Sequence, residues 1–458
     1  MPLRPKRPRP DLRPSWRQYQ QGLKKSKTLS GLIAKGIHIC VTLSLVVVAI
    51  YTTVGFLTDT SCSRPVHIQK QARQSDPRKP LLDKGELRLV IAKQTLINSD
   101  LKSLYVDLHN RRYRVETTLD PQLQDRLTEQ MDRVNSRYIG IVVMDPMSGR
   151  VLAMAGYDKT DPTANPCVSS RYPAASIFKI VTAAAAVEKC GFQPSTPLTF
   201  NGFKHTLYKS QLKNQTNRYT NHISFKDAFA QSVNPVFGKI GAQKLGKSVL
   251  SQYAQRLGFQ HPINFEIAVE VSHFDINDEP YRWAEIASGF NRQTTLSPLH
   301  GAMLAAMVLN GGQMVEPTLV DRVVDEDGTL IYKSSPAVLQ SAVSPDTATV
   351  LADLMQRTIS RGTARKTFRN QKRDKVLRKL VLGGKTGTIY NTNHDARIDW
   401  FVGFAKEKQG DERLAVSVVV AHEEYIGTRA GEYAKLAFKT YFKNVFAKET
   451  SSAEGDHS

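Results

Sequence analysis

The stretch Ala174-Ala175-Ser176-Ile177-Phe178-Lys179 sets a serine three residues before a lysine, just ahead of an alanine run through Ala183, Ala184, Ala185 and Ala186. Alanine is the strongest helix former, so the run predicts a buried helix with Ser176 in its first turn. Positions i and i+3 share a helix face, which brings the Lys179 amine within reach of the Ser176 hydroxyl. Burial there disfavours the charged ammonium and leaves an amine able to take the serine proton. Serine is also a favoured N-cap, so the pair alone equally describes an ordinary capped helix. The rest of the chain decides between the two.

Two further triplets bear on it. Ser232-Val233-Asn234 stands near the start of a helical block expected from about 225 to 257. Lys385-Thr386-Gly387-Thr388 falls on the first of three strands expected at 381–389, 400–405 and 413–421. Acyl transfer needs these residue types for definable reasons. Ser176 loses its proton as it attacks a carbonyl, and Lys179 is the nearby base. Ser232 relays a proton to the leaving amine, and Asn234 holds a substrate amide. Lys385 supplies a cation for a carboxylate, and Gly387 lets a substrate backbone lie against the strand. The backbone N–H groups of Ser176 and Thr388 complete an oxyanion hole.

Composition sets the frame. The chain has 458 residues, 41% hydrophobic and 23% charged, as in a globular protein of two or three domains or one large domain with attachments. A net charge of +21 raises nucleic acid as a partner, but the charge is front-loaded. Residues 1–36 carry ten Lys or Arg against one acid, Asp11, and residues 37–57 contain no charged side chain. A basic tail before an apolar run of about 20 residues is a topology signal: tail inside, everything later outside, and no nucleic acid. The run is too full and its leader too long for a cleaved signal peptide, so an uncleaved single-pass anchor is expected. Asp59-Thr60-Ser61 before Cys62 makes a poor lipid-attachment site. Cys167 and Cys190 flank the Ser176 helix and form a candidate disulfide in an oxidising compartment.

Along the chain, residues 58–112 read as a linker and a small membrane-proximal pedestal, residues 113–447 as the main domain, and residues 448–458 as a disordered tail. Asp120-Pro121 caps a helix running to about 135. Strands at 139–144 and 151–155 flank the turn Asp145-Pro146-Met147-Ser148-Gly149. Residues 195–225 read as loops. Further helices are expected at 298–309, 345–360 and 430–446, and a hairpin at 320–332. Hairpins at both ends of the outer segment, bracketed by helices, give an α+β fold: an antiparallel sheet flanked by helices, preceded by one transmembrane helix.

The three triplets together are those of class A β-lactamases and penicillin-binding proteins. From about 115 to 446 the chain resembles the transpeptidase domain of the penicillin-binding proteins. Val115-Glu116-Thr117-Thr118-Leu119-Asp120, Val143-Met144-Asp145-Pro146, Thr294-Thr295-Leu296-Ser297-Pro298 and Trp400-Phe401-Val402-Gly403-Phe404 carry the likeness. The resemblance implies a peptidoglycan D,D-transpeptidase without a glycosyltransferase domain, since 58–112 is too short to hold one. It implies acylation of Ser176 by the D-Ala-D-Ala end of a stem peptide, aminolysis by a second stem, and covalent capture by β-lactams. It further implies a membrane setting, a separate glycan polymerase as partner, and no metal or other cofactor. The family's usual Gly-Ser-Thr-Phe-Lys reads Ala175-Ser176-Ile177-Phe178-Lys179 here, a glycine and a threonine replaced.

Other signals are set aside. Gly241-Ala242-Gln243-Lys244-Leu245-Gly246-Lys247-Ser248 matches a phosphate-binding loop but sits in a helical stretch with no strand before it. His422-Glu423-Glu424 lacks the second histidine of a zinc-protease helix. The basic residues between 361 and 378 read as a solvated loop, with anionic lipid contact as the alternative. A D,D-carboxypeptidase would use the same acyl-enzyme. A β-lactamase would need a water-activating glutamate, and none is identified; a β-lactam sensor would need a signalling domain.

Overall fold

Five apolar runs pair into one antiparallel sheet: β1 (Ser136–Met144), β2 (Val151–Asp158), β3 (Leu380–Tyr390), β4 (Arg397–Glu407) and β5 (Arg413–His422). The spatial order is β3-β4-β5-β1-β2, so the first hairpin joins the last three strands through β5 and β1. This computed structural model describes residues 83–91, 96–108 and 111–455. The basic tail and the apolar run at 37–57 lie outside the described residues. Among the described residues, no helix is long and apolar enough to cross a membrane.

Both faces of the sheet are covered, which is why its strands read as continuous apolar runs rather than alternations. The period of two still sorts the side chains. Ile139, Ile141, Val143, Val416, Val418 and Val420 pack with Leu123 and Leu127 of α1 (Pro121–Glu129) and Phe438 and Phe442 of the closing helix. Val142, Met144, Val402, Phe404 and Val419 face the other core, with Leu299 and Met303 from a central helix. That cluster also holds Ile180 and Val181 of α2 (Lys179–Cys190). The central helix α3 (Pro298–Leu309) is buried on nearly every side. Its ends are as the residues predict: Ser297 accepts from the His300 N–H, Pro298 opens it, and Gly311 and Gly312 follow it at positive φ. α4 (Pro345–Arg361) and α5 (Ala430–Gly455) complete the layers.

Four expectations are corrected. The helical block at 225–257 is not continuous: Phe225–Ala230 stops, Ser232 turns at φ 57, and a new helix begins at Asn234. The boundary at 112/113 divides a pair of strands. Ser103–Leu108 pairs with Arg111–Thr117, which pairs with Val320–Val324 and so with Leu330–Lys333, one four-stranded sheet. The segment from 448 is not a disordered tail, because α5 runs on to Gly455; Ala447, Lys448 and Glu449 are helix formers and no glycine or proline intervenes. Cys167 and Cys190 are free thiols. Cys167 is buried against the β1–β2 hairpin, donating to the carbonyls of Ile141 (3.5 Å) and Ala155 (3.3 Å), while Cys190 closes α2. Burial pushes the Cys167 thiol up to about 12, which makes it unreactive. Residues 195–225 also contain a short ribbon, Pro197–Phe200 paired with Asn221–Ser224.

Candidate active site

The Ser176 turn hangs from the sheet by backbone contacts. Tyr172–Pro173 pairs with Thr295–Leu296, the Ala174 N–H donates to the Thr294 carbonyl (2.8 Å), and the Trp400 indole donates to the Pro173 carbonyl (2.9 Å). The chain then makes one 3₁₀ turn, Ala175–Phe178, and runs straight into α2. Ala175 sits at φ 49, a left-handed conformation that costs an alanine about 1 kcal/mol or more. This is where the chain departs from the family's glycine, and the backbone keeps the glycine-like geometry. Gly289 lies against this turn: a Cβ there would stand 1.9 Å from the Ala175 carbonyl oxygen and 2.9 Å from the Ser176 nitrogen. Those neighbours are backbone and cannot step aside without moving Ser176. Gly289→Ala is therefore expected to cut acylation of Ser176 by about 100-fold, as measured by adduct formation with a labelled penicillin.

Lys179 is fully buried and its amine donates to Ser176 Oγ (2.8 Å), Asn234 Oδ1 (2.7 Å) and the Ser288 carbonyl. Burial, with the charge of Lys385 second, holds its pKa well below the usual lysine value. Lys385, on β3, is likewise fully buried; its amine donates to Ser232 Oγ (3.0 Å) and the Thr386 carbonyl (2.7 Å), and burial lowers its pKa to about 7. The Phe237 ring lies 5.6 Å from the Lys179 amine and the Phe229 ring 5.6 Å from that of Lys385. In its neutral form, which burial favours, an amine 2.8 Å from a hydroxyl has a lone pair to take the proton as the oxygen attacks an electrophilic carbon.

The three triplets thus meet at one place. Asn234 is drawn into the network at both ends, since its amide N–H donates to the His205 carbonyl (3.1 Å). Gly387 plays a different part from the expected one. Its bare face points inward, where a Cβ would stand 3.3 Å from Ala175 Cβ and 3.3 Å from Ile177 Cγ1. The glycine lets the nucleophile turn approach the strand. Thr386 and Thr388 lie on the opposite face of β3, an edge strand whose outer side is unpaired in the sheet. A cleft of about 400 Å³ wraps this edge and reaches Ser176, Ser232, Asn234, Thr386 and Thr388.

The same cleft holds residues that no linear motif announces. Thr363 shares a 2.5 Å hydrogen bond with Thr386, and Asp399 accepts from the Thr388 hydroxyl (3.2 Å). Arg397 and Arg429 line its far end, and neither is ion-paired among the described residues. Gly289 and the Ser288 carbonyl come from the end of the Pro280–Ser288 helix. The register of β3 on β4, which sets Thr388 opposite Asp399, is the signal that would have exposed that residue. Glu423 is engaged by Arg137 and Lys159, and the phosphate-loop match falls within helical turns from 240 to 256.

Residues 139–443 match the family described as penicillin binding protein transpeptidase domain. The chain belongs to that family. Within this penicillin-binding transpeptidase family, it is 25% identical to the peptidoglycan D,D-transpeptidase PbpA of Mycolicibacterium smegmatis, over 71% of each chain. It is 30% identical to penicillin-binding protein 1A of Neisseria meningitidis, over 58% of this chain and 30% of that one, so it spans less than a third of the 1A protein. The D,D-transpeptidase domain of an Eggerthella lenta peptidoglycan glycosyltransferase superposes with a TM-score of 0.59 at 25% identity, covering 72% of this chain and 82% of that one. Penicillin-binding protein A of Mycobacterium tuberculosis, solved as an imipenem acyl-enzyme, shares the fold: TM-score 0.59, 22% identity, 71% of this chain and 79% of that one.

Proposed function

We propose that this penicillin-binding family member is a peptidoglycan D,D-transpeptidase working through a Ser176 acyl-enzyme. One observation carries the reading: a buried lysine amine of lowered pKa stands 2.8 Å from the hydroxyl of the serine of the family's first motif. Ser176 Oγ attacks the carbonyl of the penultimate D-alanine while Lys179 takes its proton. The backbone N–H groups of Ser176 and Thr388 hold the oxyanion. Collapse breaks the peptide bond, and the departing D-alanine amine receives a proton through Ser232, which Lys385 orients. The amine of a second stem then attacks the Ser176 ester, forms the cross-link and returns the serine. The open edge of β3 offers backbone groups to an extended peptide, as in strand addition. A β-lactam enters the first half of the same path and stays as a stable ester.

The basic tail and the apolar run at 37–57 support a single-pass anchor in the cytoplasmic membrane, with this unit outside against the wall. Cross-linking alone builds no glycan, so a separate polymerase is the implied partner. Among the described residues lining the cleft, the one carboxylate is Asp399, which is held by Thr388; this favours aminolysis over activated hydrolysis.

Mass spectrometry of muropeptides incubated with the full chain, with and without an acceptor amine, tests the reading. Dimers that depend on the acceptor are expected. Trimmed monomers alone would make it a carboxypeptidase, and rapid turnover of penicillin would make it a β-lactamase.

A further inference from the structure

Thr386 and Thr388 share one face of β3, yet their hydroxyls are not equivalent. Thr388 lies directly opposite Asp399 in the β3–β4 register, and its hydroxyl donates to Asp399 Oδ1 at 3.2 Å. The other carboxylate oxygen, Oδ2, accepts from the Ala430 N–H at 3.0 Å, the first residue of α5. Asp399 is 6% exposed, and two elements therefore hold it in place. His422 stands behind it with Nε2 3.8 Å from Oδ2, too far for a hydrogen bond. A threonine hydroxyl has one hydrogen, and at Thr388 it is spent inward. What Thr388 turns toward the cleft is lone pairs. Thr386 differs: it shares its 2.5 Å bond with the Thr363 hydroxyl, either partner can donate, and so it can release a hydrogen to a ligand. Beside it stands the Lys385 amine, which carries hydrogens and no lone pair when charged.

We propose that Asp399 is a positioning residue that sets substrate polarity along the edge strand. By taking the Thr388 hydrogen it makes Thr388 an acceptor for a peptide N–H and denies a carboxylate that hydroxyl as a donor. Recognition of the substrate carboxylate is left to Thr386, the end of the motif nearer Ser232, with the charge of the buried Lys385 amine behind it. A carboxylate displaced toward Thr388 would also meet the Asp399 carboxylate, so the arrangement biases an extended peptide toward placing its carboxylate at Thr386, against the pull of Arg397 and Arg429 in the same cleft. The assignment rests on the transpeptidase reading above.

Asn in place of Asp399 would reverse the bond. Its carbonyl still accepts from Ala430, its amide donates to Thr388 Oγ1, and the threonine hydrogen is freed toward the cleft. The test is acylation of the full chain by a labelled penicillin, whose carboxylate is the probe, resolved into the pre-covalent dissociation constant and the acylation rate constant. Thr388→Val is expected to weaken binding by less than about threefold, whereas Thr386→Val weakens it by about tenfold or more. Asp399→Asn is expected to tighten pre-covalent binding by about tenfold in the Thr388 background and to have no such effect in Thr388→Val. Equal losses in the two valine variants, or an Asp399→Asn effect that persists without the Thr388 hydroxyl, would overturn the assignment. If Asp399→Asn does not melt as a folded protein, the valine pair still decides. A wild-type chain that takes no label at all instead removes the transpeptidase reading, and this assignment with it.

Discussion

Ser176→Ala, incubated with a labelled penicillin, is expected to carry no covalent label, while the wild-type chain gains one adduct on the peptide containing residue 176. The expectation follows from the single hydroxyl that the Lys179 amine reaches at 2.8 Å and from its place on the cleft. Ser232 is the other hydroxyl beside a buried lysine, at 3.0 Å from Lys385, so it is the natural competitor. Its lysine, lowered to about 7 by burial, also donates to the Thr386 carbonyl, and in its charged form it has a proton to give. Intact-mass spectrometry and peptide mapping read the result. Label surviving in Ser176→Ala, or mapping to Ser232, would reverse the two roles. The change removes one oxygen atom from a packed turn, so the melting temperature should barely move; a large fall would make loss of label uninformative about chemistry.

Lys179→Arg is the second large effect. Arginine keeps a positive donor in the pocket but stays protonated, so it cannot serve as the base. Acylation is expected to fall by about 10²–10⁴-fold, the range for loss of a positioned general base. The wild-type rate should follow a bell against pH. It climbs as Lys179, held well below the ordinary lysine value by burial and by Lys385, loses its proton. It falls again as Lys385, lowered to about 7 by burial, loses its own. Stopped-flow acylation at a series of pH values shows both limbs, and Lys385→Met should erase the descending one. A variant at 179 that retains more than a tenth of the activity would mean the base lies elsewhere. Linkage gives an independent check. Because the folded pKa of Lys385 lies below its unfolded value of 10.5, the folded chain binds fewer protons between about 7 and 10.5. Stability from this group is present above that window and is lost as pH falls through about 7. The melting temperature of the wild type, minus that of Lys385→Met, should therefore rise with pH across it.

Much of this was legible in the residues because local physics matched the final structure. Ser297-Pro298 and Asn310-Gly311-Gly312 bound α3 as capping and breaking residues should. Ser176 and Lys179 meet because an i,i+3 spacing holds whether the turn is 3₁₀ or α. What stayed hidden depends on distant partners. Ser232 at φ 57 is a serine in a conformation that favours glycine, and the only local mark of the break is Pro235 in the first turn of the next helix. Asp399 acquires its role from strand register, and Gly289 from close packing against the Ala175 carbonyl. Gly387 was noted in the sequence for the wrong face, since strand alternation alone does not say which side is substrate and which is protein. The continuation of α5 past Phe446 shows that a polar run with helix formers need not be a loose end.

The strand order has a consequence for how the chain is made. β1 and β2 emerge early from the ribosome, but β1 takes its second partner from β5, which ends at His422. Until then both edges of that hairpin are open, and Ser232 has to wait for Lys385, 153 residues on. Pairings of such long sequence separation are slow to form and leave unpaired edges exposed while they wait. The protein thus passes through a period in which its sheet is incomplete and Ser176 has Lys179 beside it but not the Ser232–Lys385 pair. A chain cut before β5 leaves β1 without its second partner and should be degraded rather than partly active.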